Sequence, residues 1–199
     1  GRGGETNERG NKIVVGPGTG IGVGALVSVG NKWKAVASEG GHIGYSPSGN
    51  IEKEIANVLN KDYYRISIED LVSGRGLSNI YYALGVIKGM PYLKLHPAEI
   101  TRKATNQNDE DCIETVRIFS GILGSYASDM AGTFNATGGV YLSGGVVPKI
   151  RQYFNETNFR EKFEENEKLP FVKQIKTHMI LEENDALFGA ASCYSGTFI

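Results

Sequence analysis

The chain has 199 residues, 40% of them hydrophobic and 22% charged, enough apolar material for one well-buried core or a two-lobed domain. A formal net charge of -1 and a pI near 6.4 provide no electrostatic footprint for nucleic acid or an anionic membrane. No apolar run reaches bilayer length. The cysteines Cys112 and Cys193 fit no zinc spacing and read as reduced, buried thiols of a cytoplasmic protein.

Residues 1–11 are polar and glycine-rich and do not begin with Met, so they read as a linker or N-terminal loop cut from a longer chain. Lys12–Val15, Val23–Val29 and Trp33–Ser38 predict a three-stranded antiparallel meander, the third strand alternating Trp33, Ala35 and Ala37 with Lys34, Val36 and Ser38. Gly30-Asn31 makes the second turn, where positive φ costs little.

The first turn is Gly16-Pro17-Gly18-Thr19-Gly20-Ile21-Gly22-Val23-Gly24. Glycines bring backbone N–H groups close to a ligand, and with the Thr19 hydroxyl they suit an anionic oxygen such as phosphate. A tight hairpin with no ligand explains the same residues. A P-loop is excluded because no lysine follows any of these glycines. A dinucleotide fingerprint would have to open a helix, whereas Leu26-Val27-Ser28-Val29 reads as strand.

Glu39-Gly40-Gly41-His42 forms an irregular loop, and a helix is expected from about Ile51, with Glu52 and Glu54 near its positive end. Ser67 caps a short turn containing Glu69 and Asp70, and Ser73-Gly74-Arg75-Gly76 is expected to break the chain. Helical spacing then recurs at Leu77, Ile80, Tyr81 and Leu84 and over Pro97–Thr105. The strongest helix is Asp111–Phe134, whose many small residues call for close packing. Val140–Leu142 belongs to a buried strand ending at Gly144-Gly145, and Pro148 starts a helix. A charged helical region over Arg151–Glu167, a strand over Val172–Ile180 and a helix over Ala186–Tyr194 complete a mixed α/β pattern.

Among the histidines, His96 reads as exposed and His178 as structural, while His42 follows Glu39 closely enough for the pair to read vicinal hydroxyls. Solvation of Glu39 and a backbone-bound His42 remain the plain alternative, as does a helix-dipole role for Glu69. Asp129 falls on the helix expected to be buried, where a structural hydrogen bond is the first reading.

Taken together and in this order, Gly16–Val23, Glu39-Gly40-Gly41-His42, Glu69 before Ser73-Gly74-Arg75-Gly76-Leu77, and Leu142-Ser143-Gly144-Gly145-Val146-Val147-Pro148 resemble bacterial-type glucokinase. The resemblance implies a ribonuclease-H-like, actin-like ATPase domain in which ATP and sugar meet in a cleft. It implies that Gly18, Thr19 and Gly20 hold ATP phosphates, that Glu39, His42 and Glu69 bind sugar, and that Gly144 and Gly145 lie near the adenosine. Glucose and ATP are the implied partners, with Mg²⁺ accompanying the nucleotide, a homodimer in the full-length enzyme, and neither nucleic acid nor membrane.

Two departures are mild: Ile21 stands where leucine is frequent and Arg75 where proline often sits. A larger one is that the family's Asp-x-Gly-Gly-Thr motif and catalytic aspartate are absent, Gly3-Gly4-Glu5-Thr6 being only superficially similar. Residues 12–199 are therefore expected to be the C-terminal large domain, with no catalytic residue of their own and little or no kinase activity alone. A non-catalytic sugar-sensing regulator and a kinase for another hexose are the rival readings.

Overall fold

A computed structural model describes residues 7–90, 93–154 and 158–180. The meander forms as expected: β1 (Lys12–Pro17), β2 (Ile21–Val29) and β3 (Lys32–Ser38) pair antiparallel, with Gly16 opposite Gly22 and Pro17 opposite Ile21. The second turn is Gly30-Asn31, with Gly30 at φ +62°. β4 (Val140–Leu142) adds parallel to β1, placing Val14 beside Tyr141, and β5 (Thr177–Met179) adds parallel to β4. The sheet order is therefore β3-β2-β1-β4-β5, the mixed sheet of the fold class expected. β1 is central, and Ile13 and Val15 are completely buried. On the edge strand β3, Val36 packs on the core while Ala35 and Ala37 stay exposed.

The helices are α1 (Gly49–Leu59), α2 (Gly74–Ile87), α3 (Pro97–Asn106), α4 (Glu110–Thr133) and α5 (Asn158–Glu164). α4 is the buried hub the spacing predicts. Val116, Phe119, Leu123 and Ala127 are fully buried, and Asp109 caps it by accepting the Cys112 N–H at 3.0 Å. Its small residues do allow close approach. Any side chain at Gly124 would collide with the Phe159 backbone of α5, and one at Gly132 would meet Leu169. Arg160 of α5 is buried because its guanidinium donates to the Ile175 and Lys173 carbonyls, both at 2.7 Å.

Several expectations are corrected. Ser73-Gly74-Arg75-Gly76 does not break the chain; it opens α2, because the Ser73 hydroxyl accepts the Gly76 N–H at 3.0 Å as a helix cap. Glu52 does lie in the first turn of α1, as expected, but its carboxylate serves more than the helix end. It is buried, accepting hydrogen bonds from the Tyr45 hydroxyl at 2.6 Å and the Ser48 N–H at 2.9 Å. The strand expected over Val172–Ile180 is only Thr177–Met179, since Pro170 initiates a one-turn helix over Pro170–Gln174. Asp129 is exposed on α4, although desolvation by the surrounding protein still raises its carboxyl above the usual range. His178 stacks on Tyr141 with ring centroids 4.8 Å apart, as a structural residue would. Cys112 is a buried free thiol, pushed up to about 12 by burial first and by the neighbouring Asp109 second. The helix expected over Ala186–Tyr194 and Cys193 lie outside the described residues.

Candidate functional site

The turn between β1 and β2 is reduced to Gly18-Thr19-Gly20, because Pro17 and Ile21 still pair across the hairpin. Its N–H groups are not all free. Gly18 donates to the Gly20 carbonyl at 2.7 Å and Ile21 donates to Glu69 Oε2 at 3.2 Å. Thr19 and Gly20 keep N–H groups without a backbone partner among the described residues. The Gly18 carbonyl accepts the Gly74 N–H at 2.8 Å, which ties the turn to the start of α2.

Glu69 sits on a one-turn helix, Ile68–Asp70, closed by a reciprocal box in which Asp70 Oδ2 accepts the Ser67 N–H at 2.9 Å. Its carboxylate lies against Gly20, where any side chain would collide with it. Arg75 Nη2 approaches Glu69 Oε1 at 3.4 Å and Asp70 Oδ1 at 3.0 Å. Glu69 is thus held from two sides and remains only partly exposed.

Glu39 precedes and His42 ends a second one-turn helix, Gly40–His42, immediately after β3. Gly41 packs on Ile21, and Gly40 lies over the hydroxyl of Tyr126, a buried group with no hydrogen-bond partner. The phenol is held above its ordinary range by burial and, secondarily, by Asp129. The Glu39 and His42 side chains face solvent, 91% and 61% exposed, with Oε2 and Nε2 3.6 Å apart. This loop joins the Glu69 segment through the Ile68 N–H, which donates to the Ile43 carbonyl at 3.0 Å. All three residues therefore gather beside the start of β2.

Gly144, at φ +84°, turns the chain after β4 against the end of β1; a Cβ there would stand 2.5 Å from the Pro17 carbonyl oxygen. Val146 N–H then donates to that same oxygen at 3.2 Å. Gly145 consequently shares a cavity of about 580 Å³ with Gly18 and Thr19. Arg75, Lys94 and Lys149 line it, no acidic residue does, and the first residues of α2 and α3 contribute to its wall. Three cations, two helix N-termini and free turn N–H groups suit a ligand carrying several negative charges. Sequence reasoning missed Lys94, Lys149 and His96. His96 caps α3, accepting the Ala98 N–H at 3.3 Å, and reaches the cavity only because α3 packs beside α2. Nothing local in the sequence signals that. Among the described residues no group of three or more His, Cys, Asp or Glu could hold a metal ion, and no helix is long and apolar enough to cross a membrane.

The family model described as Glucokinase matches residues 2–197. The chain is 36% identical over 190 residues to the glucokinase of Saccharophagus degradans, an alignment covering 95% of this chain and 59% of that protein. The crystal structure of a glucokinase from an Antarctic psychrotroph superimposes with a TM-score of 0.91 at 30% identity, covering 98% of this chain and 61% of that one. A ROK family glucokinase from Streptomyces griseus, solved in complex with glucose and AMPPNP, has the same fold at a TM-score of 0.63 and 20% identity, covering 93% and 60% of the two chains. The chain thus spans about three fifths of the length of the first relative it matches.

Proposed function

Because the chain belongs to the glucokinase family, with the actin-like ATPase fold of its structural relatives, we propose that it forms the larger part of an ATP-dependent kinase for the 6-hydroxyl of glucose. The observation that carries this is the junction between Glu69 and Gly20, where a carboxylate suited to sugar hydroxyls packs directly on a turn suited to phosphate. Phosphoryl transfer needs the acceptor hydroxyl and the transferring phosphorus in contact, so adjacent subsites are what the reaction demands. The relative solved with glucose and AMPPNP supports the same pair of ligands.

In this reading Glu39, His42 and Glu69 bind and orient the sugar by hydrogen bonds to its hydroxyls. The N–H groups and hydroxyl of Gly18-Thr19-Gly20 hold the ATP phosphates, with Gly144 and Gly145 near the adenosine and the cavity's cations offsetting charge. Mg²⁺ arrives on the nucleotide as MgATP, since it commonly rides on substrate phosphates with few protein ligands. The sugar oxygen attacks the γ-phosphorus, the bond to the bridging β–γ oxygen breaks, and the hydroxyl proton passes to an aspartate base. That base belongs to a part of the relatives' length that this chain does not span. Residues 1–11 are a linker and residues 12–199 the larger domain of a cytoplasmic, homodimeric enzyme.

The test pairs two measurements on the 199-residue chain. A coupled ADP-release assay with glucose and MgATP should show no turnover at ordinary enzyme rates. Calorimetry should show glucose binding that Glu39→Ala removes. Turnover at ordinary rates would refute the placement of the base; glucose binding indifferent to Glu39→Ala would refute the sugar site.

A further inference from the structure

The turn that carries Glu39 and His42 rests on a floor that leaves no room for side chains. A Cβ at Gly40 would stand 2.9 Å from the Tyr126 hydroxyl and 3.0 Å from Ser38 Oγ, and one at Gly41 would collide with Ile21 Cγ2. Both glycines are buried, while the side chains on either side of them, Glu39 and His42, face solvent. The Tyr126 and Ser38 hydroxyls therefore lie over the same face of Gly40 without bonding each other.

Tyr126 is the anomalous part of that floor. It belongs to α4, the buried hub, and is 2% exposed, yet its hydroxyl has no hydrogen-bond partner among the described residues. Nearly all buried polar groups are paired, so an orphan calls for an explanation. Phenylalanine would supply the same apolar packing without it, as Phe119 does two turns earlier on the same helix. Burial first, and Asp129 second, hold the phenol above its ordinary range, so it keeps its proton and acts as a donor. An acceptor is close. Ser38, the last residue of β3, takes the Gly40 N–H on its hydroxyl oxygen at 2.9 Å and has a second lone pair to offer. The turn above is closed loosely: the Ile43 nitrogen is 3.3 Å from the Gly40 carbonyl oxygen, beyond the usual range, and Glu39 Oε2 is 3.6 Å from His42 Nε2. The turn has slack to tighten, whereas Tyr126 is fixed in the core.

We propose that Tyr126 is a positioning residue for the sugar site, its hydroxyl donating to Ser38 Oγ when a sugar draws Glu39 and His42 together. This inference rests on the function proposed above. In the free chain the hydroxyl is buried and unpaired, which costs free energy; in the sugar-bound chain the bond forms and that cost is relieved. Sugar binding is thereby strengthened by a group that never touches sugar. The same bond fixes Ser38 and, through it, the Gly40 N–H at the foot of the turn, so Glu39 and His42 are held at one separation.

Calorimetry with glucose and with MgATP, together with urea unfolding, tests this on the 199-residue chain and its Tyr126→Phe, Ser38→Ala and doubly substituted variants. Tyr126→Phe should weaken glucose binding about tenfold, the margin of one neutral hydrogen bond, while MgATP binding stays unchanged and the urea midpoint stays equal or rises. Ser38→Ala should weaken glucose binding too. The double variant should bind about as weakly as Ser38→Ala alone, since both changes remove one bond; additive losses would overturn the pairing with Ser38. A hydroxyl that serves only the fold would lower the urea midpoint when removed and leave glucose affinity alone, and that result overturns the proposal. Equal losses of glucose and MgATP binding in Tyr126→Phe would overturn it as well. Glucose bound equally by the parent and Tyr126→Phe overturns this inference alone, whereas a parent chain that binds no glucose overturns the sugar site and this inference with it.

Discussion

Glu69 lies within one one-turn helix and Glu39 just before another, both beside the start of β2, yet they are held in opposite ways. Glu69 packs on Gly20, accepts the Ile21 N–H and meets Arg75, whereas the Glu39 carboxylate has only His42 beside it among the described residues, at 3.6 Å, and is almost wholly solvated. The floor of the proposed site is therefore built before any ligand arrives, and its rim is not. Preorganised groups spend little on ordering when they bind, while the rim must fix two free side chains. In the proposed function, then, the floor shapes geometry and the rim reads the sugar.

The contrast breaks most visibly at Gly144. Gly144→Ala forces a side chain into positive φ and onto the Pro17 carbonyl, and should cost about 2–4 kcal/mol in urea unfolding. A loss under about 0.5 kcal/mol would mean that the floor is not rigid. Next comes Glu39→Ala, which should weaken glucose binding about thirtyfold, or about 2 kcal/mol, with stability and nucleotide affinity unchanged. His42→Ala should follow in the same direction; equal losses of sugar and nucleotide binding in calorimetry would erase the division between rim and floor.

A smaller effect is expected at Gly20. Gly20→Ala displaces the flexible end of Glu69 rather than backbone, so the fold should survive while glucose affinity falls about tenfold. The smallest concerns Asp129, on the helix beneath the rim. Desolvation raises its carboxyl, so the folded chain retains a proton that the unfolded chain has already lost. Stability contributed by this group thus declines as pH rises from the unfolded carboxyl's titration through the folded one. Asp129→Asn should raise the urea midpoint slightly at pH 7, with the gain disappearing in acid. A gain that grows in acid would contradict the sign.

How far these features could be read beforehand depended on whether their causes were local. The hairpin, the capped Ser67 turn and the apolar stripe of α4 rest on neighbours in sequence, and they formed where periodicity and caps implied. Ser73 was misread as a break because its four-residue stretch is glycine-rich, although a serine before a helical run is also a cap. Glu52 is the first-turn acid its position implied, but its burial under Tyr45 and Ser48 depends on how the preceding loop folds. Lys94 and Lys149 could not be foreseen, since only the packing of separate helices around the glycine turn gathers their charge. The positions of Glu39, His42 and Glu69 owe more to family resemblance than to pattern, for each has an ordinary explanation alone.

The parallel pairing of β1 with β4 also bears on how the chain assembles. The meander can zip from contacts close in sequence, but Ile13 meets Val140 only after all of α1–α4 has intervened. Such distant closure is slow and late in folding. The cavity needs Thr19 from the meander and Gly145 beyond β4, so a chain arrested at the meander stage lacks the proposed nucleotide site. Nucleotide added during refolding would then act as a lock rather than a template, trapping completed molecules without hastening the early steps.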